Sequence, residues 1–119
     1  MGAAALRQCS LALDIDEVLI GSTGTPCLLV GHSPDGQAWL IALAGEDLGG
    51  CRWLCAAHSE LAITCVRTGR ALPADGFRHS GTGTVHEVTV GADGGISESL
   101  RLCAEMTDDE LALPSRQVA

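Results

Sequence analysis

Two reverse-turn sequences, each lying between two apolar runs, constrain the fold of this chain more than any other feature. The first is Ser-Pro-Asp-Gly at 33–36, in which proline fixes φ and glycine supplies a positive φ. The second is Ala-Asp-Gly-Gly at 92–95. Because apolar runs joined by such turns form β-hairpins, we expect one hairpin over residues 27–44 and another over residues 84–106.

Alternation and capping signals predict further elements. Apolar and polar residues alternate over 10–20, which is typical of a half-buried strand. A glycine-rich turn at 45–50 leads into an apolar segment at 51–57, which we interpret as another strand. Ser59 is a predicted N-cap, and the helix that it opens is expected to end near Gly69.

The remaining segments are predicted from composition and capping. Residues 71–83 are expected to form a glycine-containing loop. A capping-box pattern at 107–110 predicts a short helix that ends before Pro114. We therefore expect a single domain over residues 1–113, followed by a disordered tail over 114–119.

The predicted order of elements is β-β-β-β-α-β-β-α. It indicates an α+β fold, in which an antiparallel sheet of five to six strands is built from two hairpins. One main helix packs on the sheet, and a short helix ends the domain. If residues 1–20 began with a helix in place of the first strand, the order would become α-β-β-β-α-β-β-α. That order resembles, in topology and charge, the small acidic dimeric chaperones of type III secretion, and the resemblance implies a secretion-chaperone-like dimer.

The charge and composition exclude some classes of function. The chain has 7 arginines, no lysine and 15 acidic residues, giving a net charge of −8. Direct binding of nucleic acid is therefore not expected, because it requires a cationic surface. The lack of Lys, Asn and Tyr indicates a GC-rich bacterial genome. No apolar stretch reaches the roughly 18 residues of a membrane span, and no leader is evident, so we expect a cytoplasmic protein with reduced thiols.

Four residues form a candidate metal or thiol site. Cys51, Cys55, His58 and Cys65 supply one imidazole and three thiols, a ligand set that suits zinc. Cys55 also precedes the predicted helix and is near His58 in sequence, which makes it the candidate thiol nucleophile. However, Cys51 and Cys55 lie at i and i+4 of an apolar strand, where they share one face with Trp53. A packing role is therefore favoured over zinc, and no cofactor is expected.

The cationic residues near the main helix are candidate partner-binding residues. They are Arg67, Arg70, Arg78 and His79. Some of these cations are also placed to complement the C-terminal end of a helix dipole.

The sequence as a whole predicts a small acidic, non-enzymatic interaction or regulatory module that acts through a protein partner. Sheet edges that carry neither Lys nor internal Pro favour a homodimer. A zinc-binding or thiol-dependent protein using the 51–65 residues is the alternative.

Overall fold

A computed structural model of the chain describes residues 3–22, 25–47 and 49–111. It contains a six-stranded antiparallel sheet in which each strand lies beside the next one along the chain. The predicted α+β class and both hairpins are confirmed. No described helix is long and apolar enough to cross a membrane. The elements are α1 (Ala4–Gln8), β1 (Asp14–Ser22), β2 (Thr25–His32), β3 (Ala38–Asp47), β4 (Gly50–His58), α2 (Glu60–Arg67), α3 (Pro73–Arg78), β5 (Thr84–Gly91), β6 (Ile96–Leu102) and a 3-10 turn (Cys103–Glu105).

The β2–β3 hairpin forms around the predicted turn. Gly36 has a φ of 86°, which only glycine adopts without strain. The Asp35 carboxylate accepts hydrogen bonds from the Ser33 hydroxyl and from the Gln37 N–H, and these bonds lower the pKa of Asp35. The turn residues therefore fix the register of this hairpin by local hydrogen bonding.

The helix α2 begins and ends where the sequence predicts. The Ala62 N–H donates to the Ser59 hydroxyl at 3.2 Å, and Gly69 leaves the helix with a φ of 78°. The prediction of a loop over 71–83 is wrong for its central part, where α3 begins with Pro73 in the first turn. Proline fits that position because its missing N–H would have no partner in the helix.

The N-terminal segment contains both a helix and a strand. Helix α1 ends at Gln8, and β1 begins at Asp14. The strand predicted over 10–20 is therefore present, and four strands precede α2. The order that resembles the secretion chaperones needed a helix in place of that strand, so the chain does not reproduce it.

In the described part of the C-terminal segment, a single turn is present where the sequence predicts a short helix. The capping box is present, since the Glu110 N–H donates to the Thr107 hydroxyl and the Glu110 carboxylate accepts from the Thr107 N–H. Within the described residues it closes a single turn, in which the Leu111 N–H donates to the Thr107 carbonyl at 3.1 Å. The predicted tail over 114–119 lies outside the described residues.

The sheet buries apolar side chains on both faces. One face, here called the helical face, packs against α2 and α3, and its core includes Leu40, Leu54, Ile63, Phe77 and Val85. The other face, here called the arm face, is covered by residues 3–13, the N-terminal arm. Its core includes Leu6, Leu13, Ile41, Trp53 and Val88.

Candidate functional site

The four candidate zinc ligands lie on opposite faces of the sheet. Cys51 and Cys55 are buried in the core of the arm face, as their spacing with Trp53 predicts. Successive side chains of a strand point to opposite faces, and His58 lies three residues after Cys55 on β4. Its side chain therefore points to the helical face, where Cys65 of α2 also lies. The structure therefore does not bring the four side chains together. Within the described residues, no three His, Cys, Asp or Glu side chains are placed to share a metal ion.

His58 has a packing role that the sequence did not indicate. Its Nε2 lies 2.5 Å from the Gly76 carbonyl oxygen, and since a carbonyl only accepts, this nitrogen carries the proton. A Cβ at Gly76 would lie 2.5 Å from Leu40 Cδ2 and 3.4 Å from the imidazole. Glycine at this position therefore lets α3 approach the sheet closely enough for the hydrogen bond.

Cys55 is not prepared for nucleophilic chemistry. Burial raises the pKa of its thiol well above the ordinary range, and the nearby Cys9 and Glu98 act in the same direction. A thiol must be a thiolate to attack or to bind a metal, so this environment holds Cys55 in its unreactive form.

We expect the purified protein to contain six reduced thiols and well under one equivalent of zinc per chain. All six cysteines are free, and the sheet separates the two pairs of candidate ligands. Thiol titration after denaturation without reductant, together with metal analysis of the native protein, checks both statements. A thiol count near zero would indicate disulfides. Stoichiometric zinc that is lost in Cys51→Ala or Cys55→Ala would show that the ligands do assemble.

A polar cluster on the arm face brings together Ser10, His86 and Glu98. The Ser10 hydroxyl donates to Glu98 Oε1 at 2.6 Å, and His86 Nε2 lies 2.7 Å from the same oxygen. These contacts, led by the Ser10 hydroxyl, lower the pKa of Glu98. Ser10 donates to the carboxylate and not to the imidazole, so the cluster is not a serine–histidine pair. It instead fastens the N-terminal arm to β6.

The predicted cationic residues differ in their surroundings. Arg67 donates to Glu17 Oε1 from Nε at 2.9 Å, and Arg78 forms an ion pair with Asp108. His79 is exposed at the end of α3. Of the arginines in the described ranges, Arg70 alone has no ion pair, and its side chain is exposed.

The two edges of the sheet are unlike each other. β6 pairs with β5 from Thr84↔Leu102 to Val90↔Ile96 without any shift of register. β1 pairs with β2 through three register shifts and carries Asp14, Asp16 and Glu17. Bulges and charges of this kind protect an edge against further pairing, whereas β6 carries neither Lys nor Pro nor a bulge.

The regular edge strand carries two exposed leucines. Leu100 and Leu102 of β6 are 67% and 55% exposed. By register, Leu100 lies next to His86, which pairs with the buried Cys55, so it extends the arm face outward. Large exposed leucines on an edge strand are typical of an interaction surface.

An apolar cleft lies near the other edge, between β1 and β2 on one side and the end of α2 with the start of α3 on the other. Its volume is about 70 Å³. Apolar side chains form most of its wall, namely Leu19, Ile20, Leu28, Val66, Leu72 and Pro73. No sequence signal identifies this cleft, because its walls come together only through the tertiary fold.

Comparison with protein-family models, with curated proteins and with solved structures finds no match.

Proposed function

We propose that the protein is a small non-enzymatic interaction module that forms a homodimer through antiparallel pairing of two β6 strands. It acts on a protein partner in the bacterial cytoplasm. The observation that carries this proposal is the edge strand β6, which is regular, is exposed over most of its length and includes two exposed leucines. Such an edge presents a row of backbone donors and acceptors that a second strand can satisfy.

The outward-facing groups of β6 are defined by the register. The Cys103 N–H donates to the Gly83 carbonyl, so odd-numbered residues of β6 bond to β5. Even-numbered residues then direct their N–H and C=O groups away from the sheet. This alternation agrees with Leu102, whose N–H donates to the Glu105 carboxylate at 3.1 Å. Glu98 and Leu100 are therefore left with outward backbone groups.

The outward backbone groups of Glu98 and Leu100 can pair with the same groups of a second chain across a two-fold axis. If the axis passes beside Ser99, Glu98 of one chain lies opposite the partner's Leu100, and the reverse pair follows by symmetry. Each pair exchanges two backbone hydrogen bonds, and Leu100 of both chains leaves solvent on the same face.

The charge distribution also favours β6 over β1. β1 carries three carboxylates near its start and pairs with β2 through three register shifts, and both features protect an edge against further pairing. On β6, the Glu98 carboxylate is held by hydrogen-bond contacts with Ser10 and His86, and Arg101 pairs with Glu110. Since the chains still carry a net charge of −8 each, moderate salt is expected to tighten the dimer by screening their repulsion.

The other hypotheses receive less support. The zinc or thiol alternative needs Cys51, Cys55, His58 and Cys65 to converge, and the sheet separates them in pairs. The chaperone-like alternative shares with our proposal an acidic dimer, but its order of elements differs in the number of strands before α2.

We expect the wild-type protein to sediment at tens of micromolar with about twice its 12.2 kDa chain mass, and Leu100→Pro to sediment as a monomer. Proline removes one outward N–H, and an edge strand tolerates it because β5 does not use that donor. Sedimentation velocity from low to moderate salt is the measurement.

Leu100→Thr is the matched control, because it shortens the apolar side chain but keeps the N–H and the strand preference. It is expected to weaken the dimer without abolishing it. Thermal unfolding of both variants verifies that the monomer is folded. A wild type that is strictly monomeric at every salt concentration, or a Leu100→Pro variant that remains fully dimeric, would contradict the proposed edge.

A further inference from the structure

The apolar cleft beside β1 has the size of a pocket for one side chain. Its volume of about 70 Å³ is roughly half that of engineered cavities of about 150 Å³ that accept benzene. An isopropyl or isobutyl group therefore suits it better than an aromatic ring does. Leu28 and Val66 form part of its wall, and both also contact the core of the helical face.

The mouth of the cleft is apolar as well. Leu72 is 61% exposed and lies immediately before α3, where the chain is extended. Pro73, the next residue, is buried and begins the helix, so the backbone on this side is held in place. A fixed and exposed leucine at the mouth adds apolar surface that an incoming side chain would cover.

Two arginines lie in this part of the chain, of which Arg67 lines the cleft and is paired with Glu17. Arg70 lies between Gly69 and Ala71, and both of these neighbours line the cleft. Its exposed guanidinium is the one in the described ranges that has no ion pair, in a chain with more than twice as many acidic residues as basic ones. A guanidinium left without a carboxylate in so acidic a protein can receive one from outside.

We propose that this cleft docks a segment of a partner protein that inserts a branched apolar side chain and places a neighbouring carboxylate on Arg70. This proposal rests on the proposed function in one respect, because the cleft is the surface that would bind the protein partner. It does not depend on the dimer, because β1 and β6 are at opposite edges of the sheet and β6 pairing leaves the cleft open.

The test uses two small probes that differ in one charge. N-acetyl-L-leucine carries an isobutyl group beside a carboxylate, and N-acetyl-L-leucinamide carries the same group beside a neutral amide. In an NMR titration, both are expected to shift the amide signals of 69–72 and the methyl signals of Val66 and Leu72, saturating in the millimolar range typical of such small ligands. The charged probe is expected to bind about two- to five-fold more tightly, as an exposed ion pair allows.

Variants at two arginines separate the charge contact from general effects. Arg70→Gln is expected to bind both probes equally, at the affinity of the neutral one. Arg78→Gln removes the same charge from the end of α3 and is expected to keep the preference for the carboxylate. Repeating the titration on Leu100→Pro shows whether docking occurs in the monomer, so failure of the dimer and failure of the docking site give different results.

Several outcomes of these titrations would overturn the proposal. These are no saturable shift at residues 69–72, equal affinity of the wild type for both probes, or the same carboxylate preference in Arg70→Gln as in the wild type. Cleft signals that shift with protein concentration alone would assign the surface to a second copy of this chain, which also contradicts the proposed partner.

Discussion

Replacing Phe77 by alanine is expected to lower the free energy of unfolding by about 3–5 kcal/mol. Phe77 is the aromatic side chain that α3 contributes to the core of the helical face, and it is fully buried there. Its neighbours in that core include Leu40 and Ile63, which belong to β3 and α2. Truncation would leave a cavity between three elements, and such cavities collapse only in part.

Chemical denaturation of Phe77→Ala and of the control Leu61→Ala measures this effect. Leu61 lies on α2 and is 75% exposed, so its truncation is expected to change the unfolding free energy by less than about 0.5 kcal/mol. A loss below about 1 kcal/mol for Phe77→Ala would show that α3 is not packed on the sheet as described.

α3 is also the element that the sequence failed to predict, and the reason is physical. Gly76 in a six-residue segment lowers helix propensity, and the glycines of 71–83 favour a loop over a helix. The burial of Phe77 and the close contact of Gly76 with Leu40 outweigh that weak local preference. The signal that could have identified α3 is proline in the first turn together with Arg78 in the last.

The elements that were predicted correctly are those specified by local chemistry. The turn at 33–36 and the N-cap at Ser59 depend on hydrogen bonds between residues at most four positions apart. The alternation of side chains along a strand likewise places Cys51 and Cys55 on one face of the sheet and His58 on the other. The candidate interaction surfaces depend on long-range contacts. Arg67 meets Glu17 across 50 positions, and no local pattern in the sequence reports that contact.

Glu110→Gln is expected to reduce stability by about 1–2 kcal/mol near neutral pH and to flatten its loss in acid. The Glu110 carboxylate accepts from Arg101, including a bond from Nη2 at 3.1 Å, and from the Thr107 N–H at 2.9 Å. The side chains of Glu110 and Arg101 are largely shielded from solvent, and Arg101 also contacts Glu87. The bonds therefore tie the C-terminal turn to β6 and β5.

The direction of the pH effect follows from the same contacts. Hydrogen bonds from Arg101, followed by the Thr107 amide, lower the pKa of Glu110 from its ordinary 4.5 to about 2. A carboxylate with a depressed pKa in the folded state contributes its full stabilisation above pH 4.5. That contribution is lost as the pH falls from 4.5 towards 2, because the unfolded chain takes up the proton first.

Denaturation of the wild type and of Glu110→Gln between pH 7 and pH 2 measures both parts of this prediction. The two unfolding free energies should converge as the pH approaches the lower limit. The wild type loses the stabilisation from the Glu110 charge in acid, whereas glutamine is uncharged at every pH. Asp109→Asn is the matched control. Asp109 is the preceding residue, and its exposed side chain has no hydrogen bond within the described residues. This variant therefore removes the same charge without breaking a contact, and its unfolding free energy should vary with pH as that of the wild type does. A gap between wild type and Glu110→Gln that stays constant across the acid range would mean that the Arg101 contact does not set the protonation of this carboxylate.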